Sequence, residues 1–600
     1  MSIESNPAQV YTSRIRELNI LLENLSKKKT QIAWLRFGAV VAAFGACYLL
    51  WPNGILIALA AFAIFFALFL RLVVLDIKNK TAIENTITLI TINKEEIKIA
   101  GHDFTHRDDG SRFLPPSHNY ANDLDIFGRA SLYQYINRTT SEQGNKTLAA
   151  WLTEPADEEA ILNNQEAAKE LTPNIAWRQQ LQAFGISDHL TIATEDKIMT
   201  WLKEDNFFLD KPFWKFLRFL LPAIILSCLV LCIVGIIPTP IFFGIAFIFF
   251  IAAGAISRKI MPVYDNLNKI AVQIETLSNS AGWIESISFK SILLRKIQSP
   301  FSDNKKKASA DIKQLKGILD RFDIRLNPLV FIPLNTLLFW DLQQAFALEY
   351  WKESHKEKAE KWFSSLGKME AFSSIANVAF NHPSWVFPVI SNEPGLLAGE
   401  EIGHPLIDQS KRVTSSFATT GLKQLALITG SNMAGKSTFL RSIGVNIVLA
   451  MMGAPVCAKS FTLYPTKVMS SMRIADNLEE STSTFYAELK KLKSIIEAVN
   501  RNDRIFILLD EILRGTNSLD RYTGSKALIK QLIHHQATGM IATHDLELAK
   551  LSEEFPANIH NYHFDVQVSN DELFFDYKLK DGVCQSMNAS ILMKKIGIEL

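Results

Sequence analysis

Residues 430–437 read Gly-Ser-Asn-Met-Ala-Gly-Lys-Ser, a glycine-bounded loop followed at once by a lysine and a hydroxyl. Glycine tolerates the tight backbone that lets successive N–H groups close around phosphate oxygens at a helix N-terminus. Lys436 would then reach the β- and γ-phosphates of a bound nucleotide, and Ser437 would hold Mg²⁺. The flanks fit this use. Apolar Leu425 to Thr429 predicts a buried strand before the loop, and "STFLRSIGVNIVLAMM" predicts the helix that the loop must open. The candidate phosphate contacts are Gly430, Ser431, Asn432, Met433, Ala434, Gly435, Lys436, Ser437 and Thr438.

Two more segments supply the chemistry a phosphate loop lacks. "RIFILLDE" is an apolar run ending in two carboxylates, the pattern of a parallel strand buried on both faces. Asp510 would bind Mg²⁺ through water, and Glu511 would act as general base on the water attacking the γ-phosphate. "GMIATHD" predicts a third strand ending at Thr543 and His544. A histidine there can sense the γ-phosphate, although alone it would read equally well as an ordinary loop residue. The expected catalytic residues are thus Lys436, Glu511 and His544, the metal ligands Ser437 and Asp510, and the cofactors ATP and Mg²⁺.

At this point the chain resembles the MutS family of DNA mismatch-repair ATPases, within the ABC-type class. "TGSNMAGKST" is similar to the family's T-G-x-N-M-x-G-K-S-T, where Asn432 and Met433 are more specific than the generic loop. "DEILRGTNSLD" resembles its Walker B segment, with Asn517 where serine is common. "DNLEESTSTFYAEL" and "ATHDLEL" resemble two further family motifs in the same order. The resemblance implies that Ser483 and Thr484 cap the nucleotide of a partner subunit, so that a homodimer forms through the ATPase domains. Asp476 and Glu488 would support that element or its helix. "GHPLI", residues 403–407, resembles the stretch bordering the adenine, which would place His404 near the nucleotide; an apolar strand histidine explains it nearly as well. Upstream, "DLDIFGRASLYQYINRTTSEQGNKTLAAWLTEP" looks like the opening of the family's core domain, with Ser141 in place of a threonine. Leu148, Trp151 and Leu152 share one helix face there and read as packing residues. "LGKMEAFSSIANVAF", residues 366–380, resembles the end of the lever helices and reads as an amphipathic helix.

These elements sit in a chain of 600 residues, too long for one core. Lysine and arginine number 63 against 61 acidic residues, which does not announce a nucleic-acid binder and does not exclude a local basic stripe. Five cysteines, three in apolar stretches, show neither disulfide framework nor zinc spacing. The apolar excess is concentrated in two blocks, at about residues 32–75 and 216–256, split by Pro52-Asn53-Gly54 and Pro238-Thr239-Pro240. Each half holds roughly 20 residues, enough to cross a hydrocarbon core of about 30 Å. Buried core hairpins are the competing reading, disfavoured by apolar surface all round. Lys27, Lys28, Lys29 and Arg36 precede the first span, Arg71, Lys78 and Lys80 follow the second, Lys211, Lys215 and Arg218 precede the third, and Arg258 and Lys259 follow the fourth. The turns carry no charge, so both hairpins should dip outward from a cytoplasmic body.

The expected fold class is multidomain: α-helical transmembrane hairpins, a helical core and lever domain, and a C-terminal α/β P-loop ATPase domain. The expected segments are a cytoplasmic N-terminal helix (1–31), hairpin one (32–75), the first part of the core (76–215), hairpin two (216–256), the lever and second part of the core (257–395) and the ATPase domain (396–600). The expected location is the inner, cytoplasmic membrane, spanned four times, with soluble domains in the cytoplasm. The family's mismatch-reading Phe-x-Glu is absent from the sequence, and no helix-turn-helix follows the ATPase motifs. The leading expectation is therefore a membrane-anchored MutS-like ATPase whose nucleotide-driven dimer closure acts on DNA, with mismatch reading in doubt. The alternative is a nucleotide-driven membrane scaffold or remodelling switch without DNA. A transporter fits poorly, since no polar path crosses the spans.

Overall fold

Two very long helices open the chain, Pro7–Leu50 and Ile55–Ala100, paired as a hairpin around the turn at Gly54, whose φ is +120°. Their apolar halves beside the turn, where Phe44 and Leu56 are exposed, are followed away from it by an Arg36–Asp76 ion pair of 2.6 Å. A second pair, Pro212–Ile233 and Thr239–Asn268, turns at Pro238. All four helices are long and apolar enough to cross a membrane. The computed structural model describes residues 6–303, 306–431, 434–472, 484–569 and 572–584.

The chain forms two compact units, one of residues 1–138, 148–175 and 372–600, the other of residues 139–147 and 176–371. The first unit contains the first hairpin and an α/β region. Its strands are β1 (Val389–Ile390), β2 (Leu396–Ile402), β3 (Ser415–Thr420), β4 (Leu425–Thr429), β5 (Ser460–Leu463), β6 (Lys467–Ser471), β7 (Ile505–Asp510), β8 (Thr538–Thr543), β9 (Ile559–Ser569) and β10 (Glu572–Asp581). Six of them form one sheet in the order β10-β9-β4-β8-β7-β6, parallel throughout except for β10. The rest form a smaller sheet, β1-β5-β2-β3. β4 and β8 are buried along their whole length, as continuous apolar runs in a covered parallel sheet should be. Helices Thr484–Asn500 and Ser518–His534 cover the sheet through Leu492, Ile495, Leu528 and Ile529, which cluster with Ile507 and Leu509.

A buried ion pair anchors the far end of the first hairpin in this unit. Arg138 donates from Nε and Nη2 to the two oxygens of Glu96 at 2.5 and 3.1 Å, and Asn377 and Asn381 donate to the same carboxylate. Burial opposes ionisation of Glu96, but the Arg138 guanidinium outweighs it and holds the carboxyl at about 2. Leu148 and Leu152 are fully buried and Trp151 packs on Phe372 at 4.7 Å, the packing role their spacing implies.

The second unit is helical. Ala271–Glu285 packs on Ala308–Phe322, and Trp177 and Trp283 each donate an indole N–H to the other's carbonyl. Buried Glu370 explains the polar run 139–141: its carboxylate accepts the backbone N–H and hydroxyl of both Thr140 and Ser141, at the start of helix Glu142–Thr153.

Candidate functional site

The parallel sheet brings the chemical residues to one edge. β8 lies between β4 and β7 in a register that pairs Thr543 with Thr429 and Ala542 with Asp510. Gly430, the Asp510-Glu511 pair and His544 therefore all leave the sheet at the C-terminal ends of neighbouring strands, where open α/β sheets bind ligands.

The loop has the geometry its glycines allow. Gly430 and Gly435 have φ of +147° and +106°, and a Cβ on Gly430 would stand 2.9 Å from the Phe564 carbonyl oxygen. Gly435 caps helix Lys436–Met451, directing that helix N-terminus at the loop. Lys436 is buried; its Nζ donates to the carbonyl oxygens of Gly430 at 2.8 Å and Ser431 at 2.9 Å. Burial pushes the ammonium pKa down, against the opposing charges of Glu511 and Asp510.

Asp510 is buried at the end of β7, and its Oδ1 accepts no hydrogen bond from the described residues. Burial pushes this carboxyl up, against the pull of the neighbouring Ser437 hydroxyl and of Arg514. A buried, unpartnered carboxylate oxygen beside a serine hydroxyl suits a hard divalent cation. Among the described residues no group of three or more His, Cys, Asp or Glu side chains could hold a metal alone. A cation bound here would share its coordination with phosphate and water, as Mg²⁺ does at phosphate sites.

Glu511 has φ of +50°, uncommon for a residue with a side chain, and its N–H is tied to the Ala542 carbonyl at 2.9 Å. One carboxylate oxygen meets His544 Nε2 and the other meets Arg514 Nε at 2.9 Å. The His544 contact, helped by Arg514 and Lys436, holds the Glu511 carboxyl below its ordinary range. His544 Nδ1 in turn lies 2.8 Å from the Gly430 carbonyl and 3.3 Å from Lys436 Nζ. Lys436, Glu511 and His544 are thus one connected cluster.

A pocket of about 200 Å³ adjoins the loop at Gly435 and Thr438, walled by His404, Lys411, Phe439, Phe564 and Tyr577. Burial, with Arg441 and Arg412 nearby, pushes the His404 imidazole down to about 4, so it is neutral at physiological pH. A larger cavity of about 420 Å³ opens at the other ends of β7 and β8 and contains none of these residues.

A family comparison bears on this strand edge. The model of MutS domain V matches residues 426–596. Over these residues the chain is similar to the MutS family. "DNA mismatch repair protein MutS" of Thermotoga sp. (strain RQ2) is 30% identical over 253 residues, 41% of this chain and 31% of that protein. The protein of the same name from Methanococcoides burtonii is 30% identical over 239 residues, 38% of this chain and 26% of its own. "MutS protein homolog 4" of Mus musculus is 33% identical over 203 residues, 32% of this chain and 21% of its own. The chain thus covers a third or less of these relatives, and both apolar hairpins lie outside the MutS domain V match.

Several expected residues of this MutS region fall beyond the structural description. Asn432, Met433, Asp476 and Ser483 lie outside the described residues, as does the side chain of Thr484. Glu488 is described: buried in helix Thr484–Asn500, its Oε1 accepts the Leu513 N–H at 2.5 Å, so it braces the turn that follows Glu511. Arg514 was not anticipated, although its place three residues after a carboxylate was a usable signal. Phe564 and Tyr577 were not anticipated either. They come from β9, which pairs with the loop strand, and from β10, which pairs with β9, and no spacing in the sequence announces either pairing.

Proposed function

We propose that the strand edge is a Mg²⁺-dependent ATP hydrolysis site and that the protein is a membrane-anchored MutS-type ATPase. The observation that carries this is the convergence of Lys436, Asp510, Glu511 and His544 under a glycine loop at one sheet edge. The nucleotide base would occupy the His404–Phe564–Tyr577 pocket, with its phosphates in the loop. Lys436 would exchange the Gly430 and Ser431 carbonyls for phosphate oxygens. Mg²⁺, held by Ser437 and Asp510, would neutralise charge on the β- and γ-phosphates. Glu511, kept ionised by its neighbours, would accept the proton of the water that attacks the γ-phosphorus, while His544 reports the γ-phosphate to the loop.

Ser483 and Thr484 would complete the site of a partner subunit, making closure of a homodimer ATP-dependent. The spans would hold the protein in a membrane, with the cation-flanked ends facing the cytoplasm. DNA is the first candidate for the load, because relatives carry mismatch repair in their names. ATP turnover by the full-length protein in lipid nanodiscs, with no DNA and with duplex, mismatched and branched DNA at two salt concentrations, tests this reading. Stimulation that fades with salt supports a phosphate-directed DNA ligand. Turnover indifferent to every DNA removes the DNA part and favours a membrane switch, a reading that the buried Glu96–Arg138 anchor of the first hairpin would suit.

A further inference from the structure

Helix Pro328–Leu338 has its polar and apolar faces reversed. No charged residue occurs between Arg325 and Asp341. The only polar side chains of the helix, Asn335 and Thr336, are 6% and 8% exposed, whereas Leu329 is 88% exposed. Leu326, Val330 and Ile332 are exposed as well. Asn335 points inward, donating to Ser257 Oγ at 3.1 Å and accepting the Asp341 N–H at 3.1 Å. A helix facing water has the opposite arrangement, with polar atoms out and apolar atoms in.

Its neighbours give the depth at which this face lies. The helix packs on both members of the second hairpin, Pro212–Ile233 and Thr239–Asn268. Arg325, just before it, lies over the Tyr264 ring at 4.4 Å, Asn335 meets Ser257, and Phe339, just after it, contacts Phe249 at 5.9 Å. The segment therefore runs antiparallel to the fourth span and passes its end at Arg258 and Lys259. Phe249 lies about 10 Å inward of Ile256 at the helical rise per residue. The chain turns at Phe339, whose φ is +50°, and leaves along helix Trp340–His355, where Gln343 donates to the Arg218 carbonyl at the start of the third span.

We propose that Pro328–Leu338 is inserted into the lipid leaflet in which the second hairpin ends, with Leu326, Leu329, Val330 and Ile332 against lipid. This rests on the reading of the hairpins as membrane spans. Lipid is the occupant because the face continues the exposed apolar surface of the hairpin, represented by Phe247 and Ile251. Exposed Lys215, Arg258 and Lys259 lie at the ends of the two spans it packs on, and exposed Arg321 precedes it in the chain, cations of the kind that meet lipid headgroups. A hairpin alone leaves a soluble body free to swivel about its spans. A helix inserted beside the hairpin fixes the tilt and depth of the helical unit.

Photo-crosslinking of the full-length protein in phosphatidylcholine–phosphatidylglycerol vesicles tests this. p-Benzoylphenylalanine is placed at Leu329, at Phe247 in the span, and at exposed Glu353 as a solvent control, with Leu326 as a second probe of the helix. Lipid adducts at 329, 326 and 247, with none at 353, are expected. An adduct at 247 but none at 329 or 326 overturns the inserted helix and leaves the spans standing. No adduct at any position overturns the membrane reading and the inserted helix with it. Crosslinks from 329 to a second copy of the chain make this face a protein interface and overturn the lipid assignment.

Discussion

Two buried side chains near the strand edge make measurable commitments. His404 has its imidazole pushed from 6.5 down to about 4. Between those values the unfolded chain binds the proton and the folded one does not, so stability is complete above about pH 6.5 and falls as pH drops toward 4. The loss amounts to about 3 kcal/mol at the low end. Thermal unfolding from pH 7 to 4 should fall more steeply for the wild type than for His404→Gln, and equal slopes would count against a buried neutral imidazole. Glu488 is the second. In Glu488→Ala the Leu513 N–H loses its acceptor and the turn after Glu511 loses its brace. Turnover should fall about tenfold or more, with nucleotide affinity changed far less, since a buried unmet donor costs about 1–3 kcal/mol. A loss confined to affinity would show that the brace does not serve Glu511.

At the scale of elements, the Glu96–Arg138 pair joins the end of helix Ile55–Ala100 to the 131–138 segment and to Asn377 and Asn381. Glu96→Ala would leave a buried guanidinium without its partner and should cost about 3–5 kcal/mol, with Glu96→Gln milder. The carboxyl is lowered from 4.5 to about 2. Its contribution is therefore present above pH 4.5 and lost as pH falls toward 2, the usual sign for a paired carboxylate. Chemical denaturation in detergent at pH 7 and at about pH 2.5 measures both effects. Much at this scale was legible in sequence. Leu425–Thr429 had to be a buried strand, and Pro52-Asn53-Gly54 had to be a turn. Pro328–Leu338 was not legible: its apolar residues suit a packed lever helix equally well, and only the inward Asn335 shows that the helix is reversed. The pocket aromatics Phe564 and Tyr577 were hidden for another reason, since strand order is set by long-range pairing that leaves no local periodicity.

For the whole molecule, a region matching MutS domain V and four membrane-length helices occupy one chain, and the proposed composite nucleotide site would link its chemistry to association. In Glu511→Ala the nucleotide should stay bound without being cleaved. That variant should accumulate as a dimer with ATP and return to monomer with ADP by light scattering in detergent. A dimer population indifferent to nucleotide would separate association from the ATP site.

The central claim is that the cluster at the strand edge binds and cleaves ATP. Its most direct test is single-turnover hydrolysis of radiolabelled ATP with Mg²⁺ by matched wild type, Lys436→Ala and Glu511→Ala proteins, scoring bound nucleotide and released phosphate together. Phosphate release is expected from the wild type only, with retained uncleaved ATP in Glu511→Ala and little bound nucleotide in Lys436→Ala. Wild-type release of phosphate by both variants would contradict it.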